Sequence, residues 1–224
     1  MEIFTSPTKT FRAVSFAAAL LLSLLLPVIA QASNLINNTA TLLIMGDSLS
    51  ASYGIPRESG WVTLLENKLH KDQPHYRVIN ASISGETSGG SLTRLPALLS
   101  EHQPSIVIIE IGGNDGLRGY PIIKIRQNLQ QLVALSTQAG AKVLITGIQI
   151  PPNYGKRYAQ LFYASYAQTA QLFTTEKYRV VLLPFLLEGI ATQRNLMQKD
   201  GIHPTAKAQP MILQNVWGYL KEIL

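Results

Sequence analysis

Four short segments carry residue types that can do nucleophilic chemistry. Ser48 stands in Gly46-Asp47-Ser48-Leu49-Ser50. A serine on a tight turn becomes a nucleophile when a base takes its proton, and its own N–H then points at the reacting group. Taken alone, a helix cap explains the same residues better. Asp200-Gly201-Ile202-His203-Pro204 sets a carboxylate three residues before an imidazole in a loop bracketed by Gly and Pro. Such an aspartate can fix the tautomer of His203 and stabilise its cation, though the segment also reads as a plain turn. The remaining histidines, at 70, 75 and 102, lie in polar surroundings and read as solvated. In Gly112-Gly113-Asn114-Asp115-Gly116, the Asn114 amide is a donor of the kind a developing oxyanion needs. Gly85 lets backbone approach a ligand closely, yet alone says little. Together the segments supply a nucleophile (Ser48), a base (His203), an orienter (Asp200) and oxyanion donors (Ser48, Gly85, Asn114). The set needs no metal and no cofactor.

These segments need a frame that brings them together. Apolar runs at residues 41–45, 76–81, 106–109 with Ile111, 143–148 and 178–183 predict five strands. Helical spacing predicts helices over 61–69, 92–99, 122–139, 158–173 and 207–223. Pro96 implies that the second of these starts near Leu95 or bends there. Strands alternating with helices of this length imply an α/β protein with a parallel sheet covered on both faces. Ligands then bind beyond the carboxyl ends of the strands. Ser48, Gly85 and Asn114 each follow a predicted strand. The order Ser, Asp, His is that of many α/β serine hydrolases, but no G-x-S-x-G elbow is present.

The segment around Ser48 resembles the first block of the GDSL, or SGNH, hydrolases. Gly85 matches the glycine of the second block, Asn114 with Asp115 the third, and Asp200-x-x-His203 the last. Longer stretches, residues 80–85, 112–119 and 200–204, are similar to the periplasmic branch that combines acyl-CoA thioesterase, protease and lysophospholipase (arylesterase) activities. The resemblance implies a three-layer α/β/α sandwich, flavodoxin-like, with a five-stranded parallel sheet. It also implies cleavage of acyl esters and thioesters through an acyl-enzyme. An acyl chain would need an apolar groove, for which Leu117 and Ile150 are the nominated substrate contacts. Ordinary packing accounts for either equally well. Arg118 could meet a phosphate or carboxylate, against the default of a solvated arginine. A carbohydrate acetylesterase would use the same residues. A catalytically silent lipid-binding module is the alternative from another class, and it would tolerate loss of any of the five.

Composition narrows the setting. The 224 residues include no cysteine, which excludes disulfides and thiolate metal sites. Charged residues are 14% and apolar ones 46%, enough for a sizeable core. Lys9 and Arg12 precede an apolar stretch over 13–29 and a small-x-small site at Ala30-Gln31-Ala32. That order is a signal peptide's, so residues 1–32 are expected to be cleaved and 33–224 to form one exported domain, periplasmic or secreted. The net charge of +6 is scattered, with no basic stripe. Nucleic acid is therefore not expected as a partner, while transient contact with lipid headgroups remains compatible. The helices show no extra apolar face, so a monomer is expected.

Overall fold

The computed structural model describes residues 1–3, 39–175 and 179–224. Residues 4–32 of the expected leader and Tyr178 lie outside the described residues. Five strands, β1 (Ala40–Gly46), β2 (Tyr76–Asn80), β3 (Ile106–Glu110), β4 (Lys142–Thr146) and β5 (Val180–Leu183), pair in parallel in the order β2-β1-β3-β4-β5. The chain steps one way from β1 to β2 and the other way to β3. The β1/β3 border is thus the switch point at which such sheets bind ligands.

Among the described residues six helices complete the layers: α1 (Trp61–Asp72), α2 (Ser88–His102), α3 (Gly113–Leu117), α4 (Ile122–Gln138), α5 (Lys156–Phe173) and α6 (Gln209–Leu220). Side chains alternate across a strand, so each strand feeds both cores. Leu42, Ile44, Ile106 and Ile108 pack against Leu65 and Leu69 of α1 and Val216 and Leu220 of α6. Leu43, Met45, Val107 and Ile109 pack against Leu95 of α2, Leu129 of α4 and Phe162 of α5. The expected α/β/α sandwich is present.

Element boundaries differ where capping and tertiary anchors override periodicity. Helix α2 begins at Ser88, not Leu92, and carries Pro96 inside it. Thr87 caps it, its hydroxyl accepting the Gly90 N–H at 3.2 Å. Asp115 holds the first turn by accepting the Ser88 N–H at 2.8 Å and hydroxyl at 2.6 Å. Buried Leu95 and Leu99 flank the proline and offset the bond that it deletes. Helix α5 starts two residues early, at Lys156. A 3₁₀ turn, Ala206–Ala208, takes the place of the expected start of α6, which has Pro210 in its first turn, where proline is tolerated.

Candidate active site

β1 delivers Ser48. Its last residue, Gly46, has no room for a side chain: a Cβ there would lie 2.6 Å from the Ser50 Cβ and 2.7 Å from the Ser82 Oγ. Asp47 is buried beneath the turn. Its Oδ1 accepts the Leu49 N–H at 3.0 Å, which fixes the backbone on either side of Ser48. Below it lies Glu110, fully buried at the end of β3, in register with Gly46. Glu110 Oε2 accepts the Asp47 N–H at 3.2 Å and the Ser50 hydroxyl at 2.7 Å.

Two carboxyls so placed cannot both ionise freely. Burial pushes Glu110 well above the carboxylate range, and the neighbouring Asp47 adds to the shift. Burial also raises Asp47, to about 6, against the lowering effect of the Leu49 N–H and the His203 charge. The folded chain therefore holds these protons more tightly than the unfolded one. The stability attached to them is present in acid and lost as pH rises, for Asp47 between 3.8 and about 6. Glu110→Gln keeps an oxygen for the Asp47 and Ser50 donors and removes the ionisable group. Its denaturation midpoint should gain on wild type as pH rises from about 5 to 8, a window above the ordinary glutamate pKa of about 4.3. An identical gap at both ends would show that Glu110 loses its proton as readily in the folded chain as in the unfolded one.

The loop before α6 delivers the imidazole. An isolated bridge pairs Met197 with Pro204, and the Gln198 N–H donates to the His203 carbonyl at 2.7 Å. Inside this loop Asp200 Oδ1 accepts the Ile202 and His203 N–H groups at 2.9 and 3.0 Å. Its Oδ2 lies 2.8 Å from His203 Nδ1, and His203 Nε2 lies 2.9 Å from Ser48 Oγ. Partial burial pushes the Asp200 carboxyl up, but the bonds from His203 and Ile202 outweigh it and hold it at about 2. Asp200 is thus ionised at neutral pH. Tyr53 covers the imidazole, with ring centroids 4.5 Å apart.

The turns after β2 and β3 bring the donors. Asn114, in the first turn of α3, gives one amide N–H to Asp47 Oδ2 at 3.1 Å, which leaves the other available to a ligand. Gly85 has φ +81, a left-handed conformation that glycine adopts without strain. The Ile83 N–H donates to the Gly46 carbonyl at 3.1 Å, so this turn abuts the nucleophile turn. Among the described residues neither the Ser48 N–H nor the Gly85 N–H has a hydrogen-bond partner. Asp115 is not a donor but a strut. Through Ser88, and Asn128 behind it at 2.9 Å, it locks the start of α2 to α3.

Ser48, Asn114 and His203 line one cleft of about 540 Å³. Asp200 stands behind His203, and neither it nor Gly85 is part of the lining. Leu117 and Ile150, the nominated acyl contacts, both line the cleft. Sequence reasoning missed its far wall, Phe185, Leu186 and Leu187 after β5 with Met197 and Ile202 beside the imidazole. It also missed the Asp47–Glu110 pair. A carboxylate closing the apolar run of β3 was the available signal.

Similarity to known proteins gives the family. Residues 44–209 match the model of the GDSL-like lipase/acylhydrolase family. The chain is 50% identical to esterase TesA of Pseudomonas aeruginosa over 184 residues, 82% of this chain and 89% of that one. It is 46% identical to thioesterase 1/protease 1/lysophospholipase L1 of Escherichia coli K12 over 77% of this chain and 79% of that one. The crystal structure of the psychrotrophic esterase EstA of Pseudoalteromonas sp., inhibited by monoethylphosphonate, superposes with a TM-score of 0.74 at 46% identity, covering 81% of this chain and 97% of that one. With its sheet order, its Ser-His-Asp contacts and these relatives, the chain belongs to the GDSL-like lipase/acylhydrolase family.

Proposed function

We propose that the protein is an exported serine hydrolase that cleaves acyl esters and thioesters through an acyl-enzyme. The observation that carries this reading is the unbroken chain from Asp200 through His203 to Ser48, opening on an apolar cleft. His203 takes the Ser48 proton as the hydroxyl oxygen attacks the acyl carbonyl, while Asp200 stabilises the imidazolium. The oxyanion is met by the N–H groups of Ser48 and Gly85 and by the free amide N–H of Asn114. His203 then protonates the departing alcohol or thiol, and water repeats the sequence on the acyl-enzyme. A base must be unprotonated to take the Ser48 proton, so turnover should fall toward acid, and a profile flat from about pH 5 to 8 would remove His203 as the base.

The acyl chain lies along Leu117 and Ile150 toward the wall after β5. A cleft of about 540 Å³ is of the size that holds whole small-molecule ligands, far more than an acetyl group occupies. That favours medium or long acyl chains over a sugar acetylesterase. The names of the relatives, esterase and thioesterase/lysophospholipase, support the same substrate range. Residues 1–32 act as the cleaved leader, and residues 33–224 are the exported enzyme. A p-nitrophenyl ester series from acetyl to palmitoyl tests the reading. Turnover should peak at medium or long chains. An acetyl-only profile would reassign the protein to the acetylesterases, and no turnover at any length would leave the lipid-binding module.

A further inference from the structure

The sheet edge that holds the cleft also carries exposed apolar side chains that hydrolysis does not use. Ile83, Tyr120, Ile123 and Tyr154 are exposed, Ile123 to 60%. They lie on the segments that follow β2, β3 and β4, all at the carboxyl edge of the sheet. Hydrogen bonds join these segments into one surface. Arg118 donates to the Gly85 carbonyl at 3.2 Å, tying the turn after β2 to the segment after β3. The Tyr158 hydroxyl donates to the Tyr120 carbonyl at 2.7 Å, tying that segment to the start of α5. Beside the imidazole, Tyr53 and Ile202 are exposed as well.

On the segments after β3 and β4 the exposed charges are one-sided. Arg118, Lys124, Lys156 and Arg157 are exposed on residues 111–124 and 147–157. The one carboxylate in those two stretches is Asp115, buried and bound to Ser88. These segments therefore carry four cations and no exposed anion. Single exposed apolar residues are ordinary on any surface. Their gathering on joined segments at the sheet edge that holds the cleft, beside unopposed cations, has the chemistry of a bilayer interface. Apolar and aromatic groups enter the headgroup layer there, and guanidinium and ammonium groups meet phosphates.

We infer that this edge docks the protein, cleft mouth inward, on an anionic phospholipid surface. Hydrolysis of a soluble ester needs no such surface. A docked mouth receives an acyl chain directly from the bilayer, without its passage through water. Docking stands apart from the bond-breaking step, so Ser48→Ala should bind vesicles as wild type does.

The test compares proteins that share one N-terminus, so that any leader contributes equally to all. Wild type should co-sediment with vesicles of equal parts phosphatidylglycerol and phosphatidylcholine, and far less with phosphatidylcholine alone. High salt should erase the preference, because it screens charge over the Debye length. A basic residue near an anionic bilayer is worth roughly fivefold in binding, so Lys124→Glu/Lys156→Glu/Arg157→Glu should lose about a hundredfold or more. Ile123→Ser/Tyr154→Ser should weaken vesicle binding and leave dextran sulfate binding unchanged. Both variants should retain wild-type turnover of soluble p-nitrophenyl butyrate, which also reports that they fold. Equal binding to the two vesicle types, or wild-type binding by the charge variant, would overturn the docking surface. Full vesicle binding by the apolar variant would overturn it too, leaving an edge suited to a soluble polyanion.

Discussion

Ser48→Ala is expected to lower turnover of p-nitrophenyl esters by about 10⁴-fold or more, with the fold intact. The side chain contributes one hydroxyl, 2.9 Å from His203 Nε2 and, more distantly, 3.5 Å from Asp47 Oδ1. Nothing structural hangs on it, because Asp47 and the Leu49 N–H hold the turn without the serine oxygen. His203→Ala should cost a similar amount, since neither residue works without the other. The double variant should be about as inactive as either single one, the non-additivity that marks residues acting as a unit. Two independent losses that multiply would break the proposed nucleophile–base pair. Labelling gives a second, direct readout. A fluorophosphonate reacts only with an activated hydroxyl, so wild type should gain one adduct on the peptide containing Ser48, and His203→Ala almost none. A lipid-binding module would lose nothing in Ser48→Ala and take no label.

The frame that positions these residues was legible because it rests on patterns one strand long. Residues 41–45 and 106–109 are apolar on both faces, and both strands are buried in the centre of the sheet. Boundaries were less legible where a distant residue sets them. The start of α2 depends on Asp115, twenty-seven positions along the chain, and no local periodicity carries that. The triad and the donors were legible because each follows a strand or stands in a marked loop. The support beneath them was not. Asp47 reads as a cap and Glu110 as a strand end until the register sets Gly46 beside Glu110. The wall of the cleft after β5 is built from ordinary leucines and Phe185. Their role comes from where β5 ends, not from their type.

Asn114→Ala should lower kcat by 10²–10³-fold (about 2.7–4 kcal/mol in the barrier) and leave KM much less changed. The amide has one N–H held by Asp47 Oδ2 at 3.1 Å, and this bond aims the other at the cleft. Alanine removes the donor, while Ser48, His203 and Asp200 keep their contacts. Asp47→Asn tests the aim rather than the donor. The native carboxylate accepts from Leu49 with one oxygen and from Asn114 with the other. An asparagine offers one oxygen and one NH₂, so one of those two donors must face another donor. Turnover should fall, by less than in Asn114→Ala, and the variant should be at least as stable as wild type at pH 8, because burial disfavours the charge that it removes. The two changes should not add, since a mis-aimed amide and a missing one fail at the same step. In wild type, acid below about 6 protonates Asp47 and turns one of its oxygens into a donor, so the acid limb of kcat contains this loss as well as that of the base. Asp47→Asn should narrow that limb. A variant with near wild-type turnover at Asn114→Ala would take Asn114 out of the oxyanion hole, and an unaltered acid limb in Asp47→Asn would reduce Asp47 to a structural brace of the turn.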